Sequence, residues 1–463
     1  MAIDYEVFVT AGLGDNTFLV ASGDEAVLVD PQRDAWRFVA AAERRGLRIR
    51  GVLETHVHND YLSGAHEVRA ATGADILAPA KGGYAFPHTP SEEGVEIAIG
   101  DLLLRAWDTP GHTYEHIAWA AFRPGDAGDA TPLAVFSGGS LLVGSAGRTD
   151  LLGPDHTAAL TDLQFATMAR YRALPAAVDL LPTHGAGSFC VSTLPTAARV
   201  STIGEELGRN AALTASDGAT FAEQQLTGVL EYARYYAAMA PRNRTGPPVL
   251  GSTPRPPRLD GAAVAEHRRR GTVIVDARDR ESFAAAHIPG ALNVELNEGF
   301  CTYVGWVTPF DCEHVLVLPE SDDAEREAID QLIRIGYDRT VGILEGGMAS
   351  WAGETRSYPI GTTKELRERL TDGEPTTVLD VRQPGEWESE GVVPGSIRIF
   401  VGDLPERLDE LDPGAEHWIF CTNGHRASLA ASLLDARGIR ARLIAKSGVL
   451  GLLDHLEPLG AAR

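Results

Sequence analysis

Lysine is nearly absent from this sequence: only Lys81, Lys364 and Lys446 stand among 41 basic residues in a chain of 463. Arginine supplies the rest and, with abundant Ala and Gly, reads as compositional bias rather than function. Positive charge is short as a whole, since 41 Lys+Arg face 64 Asp+Glu for a formal net charge of −23. A surface that acidic repels phosphates and anionic lipid, so neither nucleic acid nor a membrane surface is expected as a partner. No uninterrupted apolar run approaches the ~20 residues needed to span a bilayer. The opening residues Met1 to Tyr5 carry neither the basic nor the apolar region of a signal peptide. Cysteine is scarce: Cys190, Cys301, Cys312 and Cys421 are too few and too scattered for a disulfide framework, and a reducing cytoplasm is the expected compartment. What is present is ordinary globular composition, 44% hydrophobic and 23% charged, in a length that suits about three domains at ~150 residues each.

The chain opens on strand-like runs. Phe18–Ala21 and Ala26–Val29 flank a Gly23-Asp24 turn and predict a hairpin. Gly51–Thr55 is another apolar run, stopping at a polar cluster, and a helical pattern starts near Ser63. Strands and turns alternate to about Cys190, followed by one long, mostly polar helical stretch through Tyr235 and Tyr236. Prolines at 241, 247, 248, 254, 256 and 257 then mark a linker, which gives a first domain over 1–245 and a linker over 246–258. Beyond it the sequence repeats itself. Thr272–Arg278 and His287–Ala291 correspond to Thr377–Arg382 and Val392–Ser396, and each copy continues into two more apolar strands with helical sequence between. This predicts two α/β domains with parallel sheets, over 259–358 and 359–463.

Two loops of the first domain carry histidines at strand ends, where α/β proteins keep their reacting groups. Thr55-His56-Val57-His58-Asn59-Asp60 is one and Pro110-Gly111-His112-Thr113 the other. A single loop histidine is most simply a surface group. Two imidazoles at i and i+2, joined by a third from a distant loop, form three sides of a metal site with one position open, so His56, His58 and His112 are the candidate ligands.

These motifs, with Tyr61–Gly64, Gly147–Leu151 and Thr183–Ser188, resemble the metallo-β-lactamase fold over about residues 1–245, and within it the persulfide dioxygenase and glyoxalase II group. The resemblance implies an αββα sandwich holding one Fe(II) on His56 and His112. Tyr61 stands where dinuclear glyoxalase II enzymes carry a histidine for a second metal, which points to the one-metal persulfide dioxygenases. The Asp that is the third iron ligand of that family is Gly139 here. Three arrangements stay open: His58 completes a tris-His site that suits Zn(II) as well as Fe(II), Asp60 substitutes, or the site is empty and the domain a scaffold. Asp30 either supports the cluster from behind or caps a strand. His184 is expected to hydrogen-bond rather than ligate, and Arg148 with Asp150 to form a structural salt bridge.

Near the C-terminus, Ile419-Phe420 ends an apolar strand and Cys421-Thr422-Asn423-Gly424-His425-Arg426 leads into helical sequence. A sulfur placed there faces unpaired backbone N–H groups and the positive end of a helix dipole, both of which favour the anion. Gly424 lets the loop curl and Arg426 adds positive charge. The reading requires that sulfur to be open to solvent. The pattern, with Asp380-Val381-Arg382 and Val393-Pro394-Gly395-Ser396 upstream, resembles the rhodanese family of sulfurtransferases. By that resemblance Cys421 is the nucleophile that carries sulfane sulfur, Arg426 assists it, and Thr422, Asn423, Gly424 and His425 hold the substrate. The middle copy resembles rhodanese in its scaffold but reads Leu318-Pro319-Glu320-Ser321-Asp322-Asp323 at the matching strand end, with three carboxylates and no cysteine. Cys301 and Cys312 lie upstream of that position. This copy is expected to space and orient the other two domains, or else to offer a regulatory binding surface.

The full order, a metallo-β-lactamase αββα sandwich followed by two rhodanese-like doubly wound α/β domains, resembles bacterial persulfide dioxygenase–rhodanese fusions. That implies small-molecule persulfides, thiosulfate, sulfite and low-molecular-weight thiols as partners, O₂-dependent persulfide oxidation in the first domain, and a homo-oligomer. Gly139 ranks sulfurtransferase activity above dioxygenase activity. Two other classes stay open: a zinc-dependent thioester hydrolase of glyoxalase II type at His56, His58 and His112, and a metal-free scaffold or sensor in which the rhodanese alone is active.

Overall fold

The computed structural model describes residues 3–125, 131–192, 197–227 and 229–446; the end of the third predicted domain, 447–463, lies outside them. The chain forms two compact units, one of Met1–Val229, Tyr235–Thr253 and Ile333–Gly336, the other of Leu230–Arg234, Pro254–Leu332 and Tyr337–Arg463. Apart from Ile333–Gly336, both copies of the repeat fall within the second unit. Among the described residues, no helix is long and apolar enough to cross a membrane.

In the first unit, alternation of side chains along the strands decides the layering. Phe18 and Val20 of the strand Asp15–Ser22 face inward with Val27 and Val29. They meet Trp119, Phe136 and Leu104 of a second sheet in one shared core. Their neighbours Leu19, Ala21 and Leu28 face the other way, against Phe38 and Val68 from the helices Trp36–Arg44 and Ala65–Thr72. Ala118, Ala120 and Val135 of the second sheet likewise meet Met168 and Tyr171 of the helix Pro154–Arg172. Two six-stranded sheets packed face to face with helices outside make the αββα sandwich. The expected hairpin is present, Ser22 pairing with Glu25 around Gly23 at φ 63°.

The long helical stretch expected before the linker is instead a series of short helices, Ile203–Arg209, Ala211–Thr214, Gly218–Leu226 and Tyr236–Thr245. Two of the breaks have a side-chain cause. Asn210 accepts from the backbone N–H of Ala212 and Leu213, and Asp217 from that of Thr220, so each starts a new helix.

In the second unit each copy is a five-stranded parallel sheet. The order Arg258–Leu259, Thr340–Leu344, His314–Val317, Val273–Asp276, Leu292–Asn293 in one copy is matched by Ile360–Gly361, Arg440–Ile444, Glu416–Phe420, Thr377–Asp380, Ile397–Arg398 in the other. Both copies keep a buried aspartate clamped by the arginine two residues on: Arg278 Nη2 donates to Asp276 at 2.7 Å and Arg382 Nη2 to Asp380 at 2.7 Å. The duplication is thus exact in topology, and the copies differ in what their strand ends present.

Candidate functional site

In the first unit the strands Glu25–Val29 and Arg48–Leu53 lie side by side, and the chain leaving each builds the floor of a histidine cluster. Asp30, a non-glycine residue at φ 48°, turns its carboxylate to accept from the backbone N–H of Thr55 at 2.8 Å and its hydroxyl at 2.7 Å, and also from the Thr183 hydroxyl. A left-handed aspartate is held against strain only by such bonds. Of the two roles open to Asp30, it therefore braces the cluster from behind.

Five histidines, His56, His58, His112, His116 and His184, cluster beside it. Thr55 Oγ1, having donated to Asp30, accepts from His56 Nδ1 at 2.9 Å. The Arg148 carbonyl, which can only accept, takes a proton from His112 Nδ1 at 2.7 Å. Both rings therefore turn Nε2 lone pairs inward, with their outward nitrogens fixed as a metal ligand's usually are. Asp15 holds His184 Nδ1 at 2.7 Å, and the Nε2 atoms of His184 and His56 face each other at 3.3 Å. Burial pushes His112 down to about 3 and, with the neighbouring imidazoles, also lowers His56 and His184, so all three stay neutral donors.

The geometry differs from the sequence expectation in three respects. Candidate ligand atoms of His56, His112 and His184 lie within 4.8 Å of one another, so His184 joins the set it was expected to stay out of. His58 groups instead with Asp30 and His56, and separately with Asp60 and His184. Its Nε2 sits 3.3 Å from both Asp30 and Glu54, and Tyr61 stacks on its ring. Burial disfavours the His58 cation, but those two carboxylates outweigh it and raise the group well above the usual imidazole range. His116, four residues beyond His112, was missed: it stacks on His56 with ring centres 5.0 Å apart, and its Nε2 accepts the Gly139 N–H at 2.9 Å. The expected Arg148–Asp150 salt bridge is present at 2.7 Å.

The cluster fits a metal ion such as iron or zinc. Imidazole nitrogens 3.3 Å apart match an edge of a tetrahedron with ~2.0–2.1 Å metal–nitrogen bonds. Asp60 and Asp15 are buried beside the cluster, close enough to share a hydrogen bond, with Asp60 Oδ2 3.3 Å from His184 Nδ1, and burial pushes the two groups up to about 7 and about 8. Buried carboxyls are costly to ionise without a positive charge beside them, so the site favours a cation. No side chain can enter at Gly139, because a Cβ there would lie 2.3 Å from His112 Cδ2. Replacing Gly139 by Asp, the residue that the resemblance to persulfide dioxygenases implies there, is thus expected to displace His112 and lower the metal content of the purified protein rather than raise it. More metal per chain in G139D than in the unaltered protein, by elemental analysis, would contradict this.

The second unit presents Cys421 between the strand Glu416–Phe420 and the helix His425–Ala436. Gly424, at φ 93°, opens that helix, and its N–H donates to Cys421 Sγ at 3.1 Å. Asn423 Oδ1 lies 3.9 Å from the sulfur. Arg426 is not a free charge: its guanidinium holds both Glu386 oxygens, Nη2 to Oε1 at 2.7 Å, and Thr422 donates to the same Oε1 at 2.6 Å. Glu386 gave no sequence signal. The expectation of an open sulfur is also corrected, since Cys421 is only 1% exposed. His425 Nδ1 lies 2.8 Å from Glu295 of the cysteine-less copy.

Burial alone would raise the Glu386 and Glu295 carboxyls, but Arg426 in one case and His425 with Arg280 in the other outweigh it and hold both at about 2. Carboxylates depressed on folding stabilise the native state above the ordinary Glu value of ~4.3 and lose that contribution as pH falls through the folded value. The urea midpoint of the two-copy unit, followed by Trp fluorescence, is therefore expected to fall between about pH 4.5 and 2, and less steeply in Glu386→Gln. A midpoint flat across that window would contradict the pairing.

Comparison with known proteins agrees with this division. The metallo-beta-lactamase superfamily model matches residues 11–192, and the rhodanese-like domain model matches 261–354 and again 362–449. A solved metallo-beta-lactamase from Staphylococcus aureus is similar at TM-score 0.65 and 26% identity, covering 74% of this chain and 99% of its own. ETHE1 from Myxococcus xanthus is similar at TM-score 0.44 and 24% identity, over 52% of this chain and 98% of its own. A hydroxyacylglutathione hydrolase of Methylobacillus flagellatus is 35% identical over 147 residues, 31% of this chain and 54% of that protein. The chain thus spans about half the length of that curated relative. The histidine cluster and the cysteine loop accordingly belong to a metallo-β-lactamase superfamily domain followed in the same chain by two rhodanese-like domains.

Proposed function

We propose that the chain is a sulfur-metabolism enzyme in which Cys421 carries sulfane sulfur. The observation that carries the reading is the Gly424 N–H aimed at Cys421 Sγ from 3.1 Å, at the opening of a helix. An amide and a helix dipole at that point stabilise a thiolate and, equally, a terminal persulfide. The thiolate attacks the outer sulfur of thiosulfate; the new S–S bond forms as the old one breaks, and sulfite leaves with its electron pair. A thiol or cyanide then attacks the terminal sulfur, takes it, and returns the thiolate. Arg426, neutralised by Glu386, fixes Thr422 and the turn of the loop more than it adds charge. Because Cys421 is 1% exposed, a donor reaches Sγ only after side chains around the loop move aside. Small thiosulfonates should therefore modify it faster than bulky maleimides.

In the first domain His56, His112 and His184 would hold one Fe(II) or Zn(II), with His58 clamped between Asp30 and Glu54 beside them. A metal there would supply Lewis-acid or one-electron chemistry to a bound persulfide or thioester. The chain's own contribution is three neutral imidazoles with fixed orientation and a core that excludes water. Partners on this reading are low-molecular-weight persulfides, thiosulfate, sulfite and thiols, in a cytoplasmic homo-oligomer.

A zinc-dependent thioester hydrolase is the second reading for that domain, favoured by an all-histidine cluster without the family Asp and by the hydroxyacylglutathione hydrolase likeness. Three assays on one preparation separate them. Thiosulfate:cyanide turnover supports the rhodanese half. O₂ uptake on glutathione persulfide supports a dioxygenase, and acyl-glutathione hydrolysis without O₂ uptake supports the hydrolase. Absence of thiosulfate:cyanide turnover would overturn the leading reading.

A further inference from the structure

We propose that Arg280, which belongs to the copy without a cysteine, is a positioning residue for Cys421: it locks the Asn423–Gly424 peptide with its N–H turned onto the sulfur. This rests on the sulfur-carrier reading above. Arg280 Nη1 donates to the Asn423 carbonyl at 2.6 Å and to the Ala445 carbonyl at 3.0 Å. The Asn423 carbonyl and the Gly424 N–H are two ends of one planar trans peptide and point in opposite directions. Holding the first on Arg280 aims the second at Cys421 Sγ, where it is found at 3.1 Å. A flipped peptide would present a carbonyl dipole to the anion instead of a donor, and nothing in a loop opened by glycine forbids that flip by itself.

The anchor is itself rigid. Arg280 Nε and Nη2 hold Glu295 at 2.5 and 2.8 Å, and the Arg280 backbone N–H donates to Glu295 at 2.7 Å. Glu295 and Arg280 also engage His425, at 2.8 and 2.9 Å, at the first turn of the helix that follows the cysteine. The fit is close: a Cβ on Gly424 would lie 2.0 Å from Arg280 Nη1. The device is absent from the other copy. Strand register equates Asp276 with Asp380 and Asn293 with Arg398, so Arg280 corresponds to Pro384 and Glu295 to Phe400. The duplication has thus divided the work, one copy supplying the nucleophile and the other the clamp that orients its amide cradle.

The test uses the full chain and the variants Arg280→Met, Arg280→Lys and Glu295→Gln. Alkylation of Cys421 by iodoacetamide, followed on its own peptide by mass spectrometry, is measured across pH beside thiosulfate:cyanide kinetics. Loss of one amide bond to an anionic sulfur should move the inflection of the alkylation curve to higher pH by about one unit and cut kcat about tenfold in Arg280→Met. The KM for thiosulfate should change less than kcat. Arg280→Lys, which keeps one donor for the Asn423 carbonyl, should recover part of both effects, and Glu295→Gln should fall between. An alkylation curve for Arg280→Met that superimposes on that of the unaltered protein overturns the inference. If Arg280→Met does not fold, the same comparison is decided by Arg280→Lys and Glu295→Gln. Failure of the unaltered protein to turn over thiosulfate would sink the sulfur-carrier reading instead, while the alkylation curves would still decide the role of Arg280.

Discussion

Cys421→Ser is expected to abolish thiosulfate:cyanide sulfurtransferase turnover, a loss of at least about 1,000-fold. The physical reason is the nucleophile. A hydroxyl does not ionise in the range where a thiol does, and one peptide amide with a helix N-terminus cannot make up the difference. The substitution is nearly isosteric in a buried loop, and Gly424 N–H can donate to Oγ as it does to Sγ, so the thermal midpoint should hardly move. Loss of activity without loss of fold separates a carrier from a structural cysteine. The other three cysteines provide an internal control, since Cys190 and Cys301 are buried and Cys312 partly so, and none sits at a strand end facing a helix N-terminus. Turnover that survives in Cys421→Ser would remove the assignment.

His184→Ala is expected to empty the proposed metal site as completely as His56→Ala or His112→Ala, with a loss of at least about 100-fold in affinity. Three imidazoles are the fewest ligands that hold an ion firmly, and His184 is one of them by position. Elemental analysis of anaerobically prepared protein checks this, with circular dichroism to confirm folding. His58→Gln provides the contrast: the amide can still donate toward Asp30 and Glu54, and metal content should fall far less. Metal retained in His184→Ala and lost in His58→Gln would restore the ligand set expected from the sequence and discard the geometric one.

The reason the sequence pointed to His58 rather than His184 is instructive. His56 and His58 share one loop and His112 opens another, so local motifs bring them together on paper. His184 reaches the cluster from the far end of the second sheet, 128 residues beyond His56. Its place was masked by the missing Asp, because with Gly139 and Tyr61 in view no second-metal role remained for it. The fold itself was far more legible. The apolar runs Phe18–Ala21 and Ala26–Val29, the Gly23 turn and the repeated Asp-x-Arg and Pro-Gly motifs report local chemistry, and local chemistry fixed the strands, the hairpin and the duplication. Where local reading failed, a long-range or side-chain event decided. Asn210 and Asp217 broke one expected helix into several by capping. Glu386 met Arg426 across 40 residues and neutralised it, and Arg280 met Asn423 across 143. No periodicity in either copy announces such contacts, because Arg426, Glu386 and Arg280 each look like an ordinary surface charge and the Asn423 carbonyl is plain backbone.

The burial of Cys421 adds a point about access. On the proposed sulfur-carrier reading, a sulfur only 1% exposed would select donors by size before chemistry, and would favour compact inorganic sulfane donors and small persulfides over protein persulfides.

The central claim is that Cys421 is loaded and unloaded with a single sulfur atom. Mass spectrometry of the intact chain after exposure to thiosulfate, then to cyanide, tests it most directly. The expected result is a gain of one sulfur atom confined to the peptide that contains Cys421, reversed by cyanide with release of thiocyanate. An unmodified Cys421 peptide after thiosulfate treatment of folded, reduced protein would contradict the account.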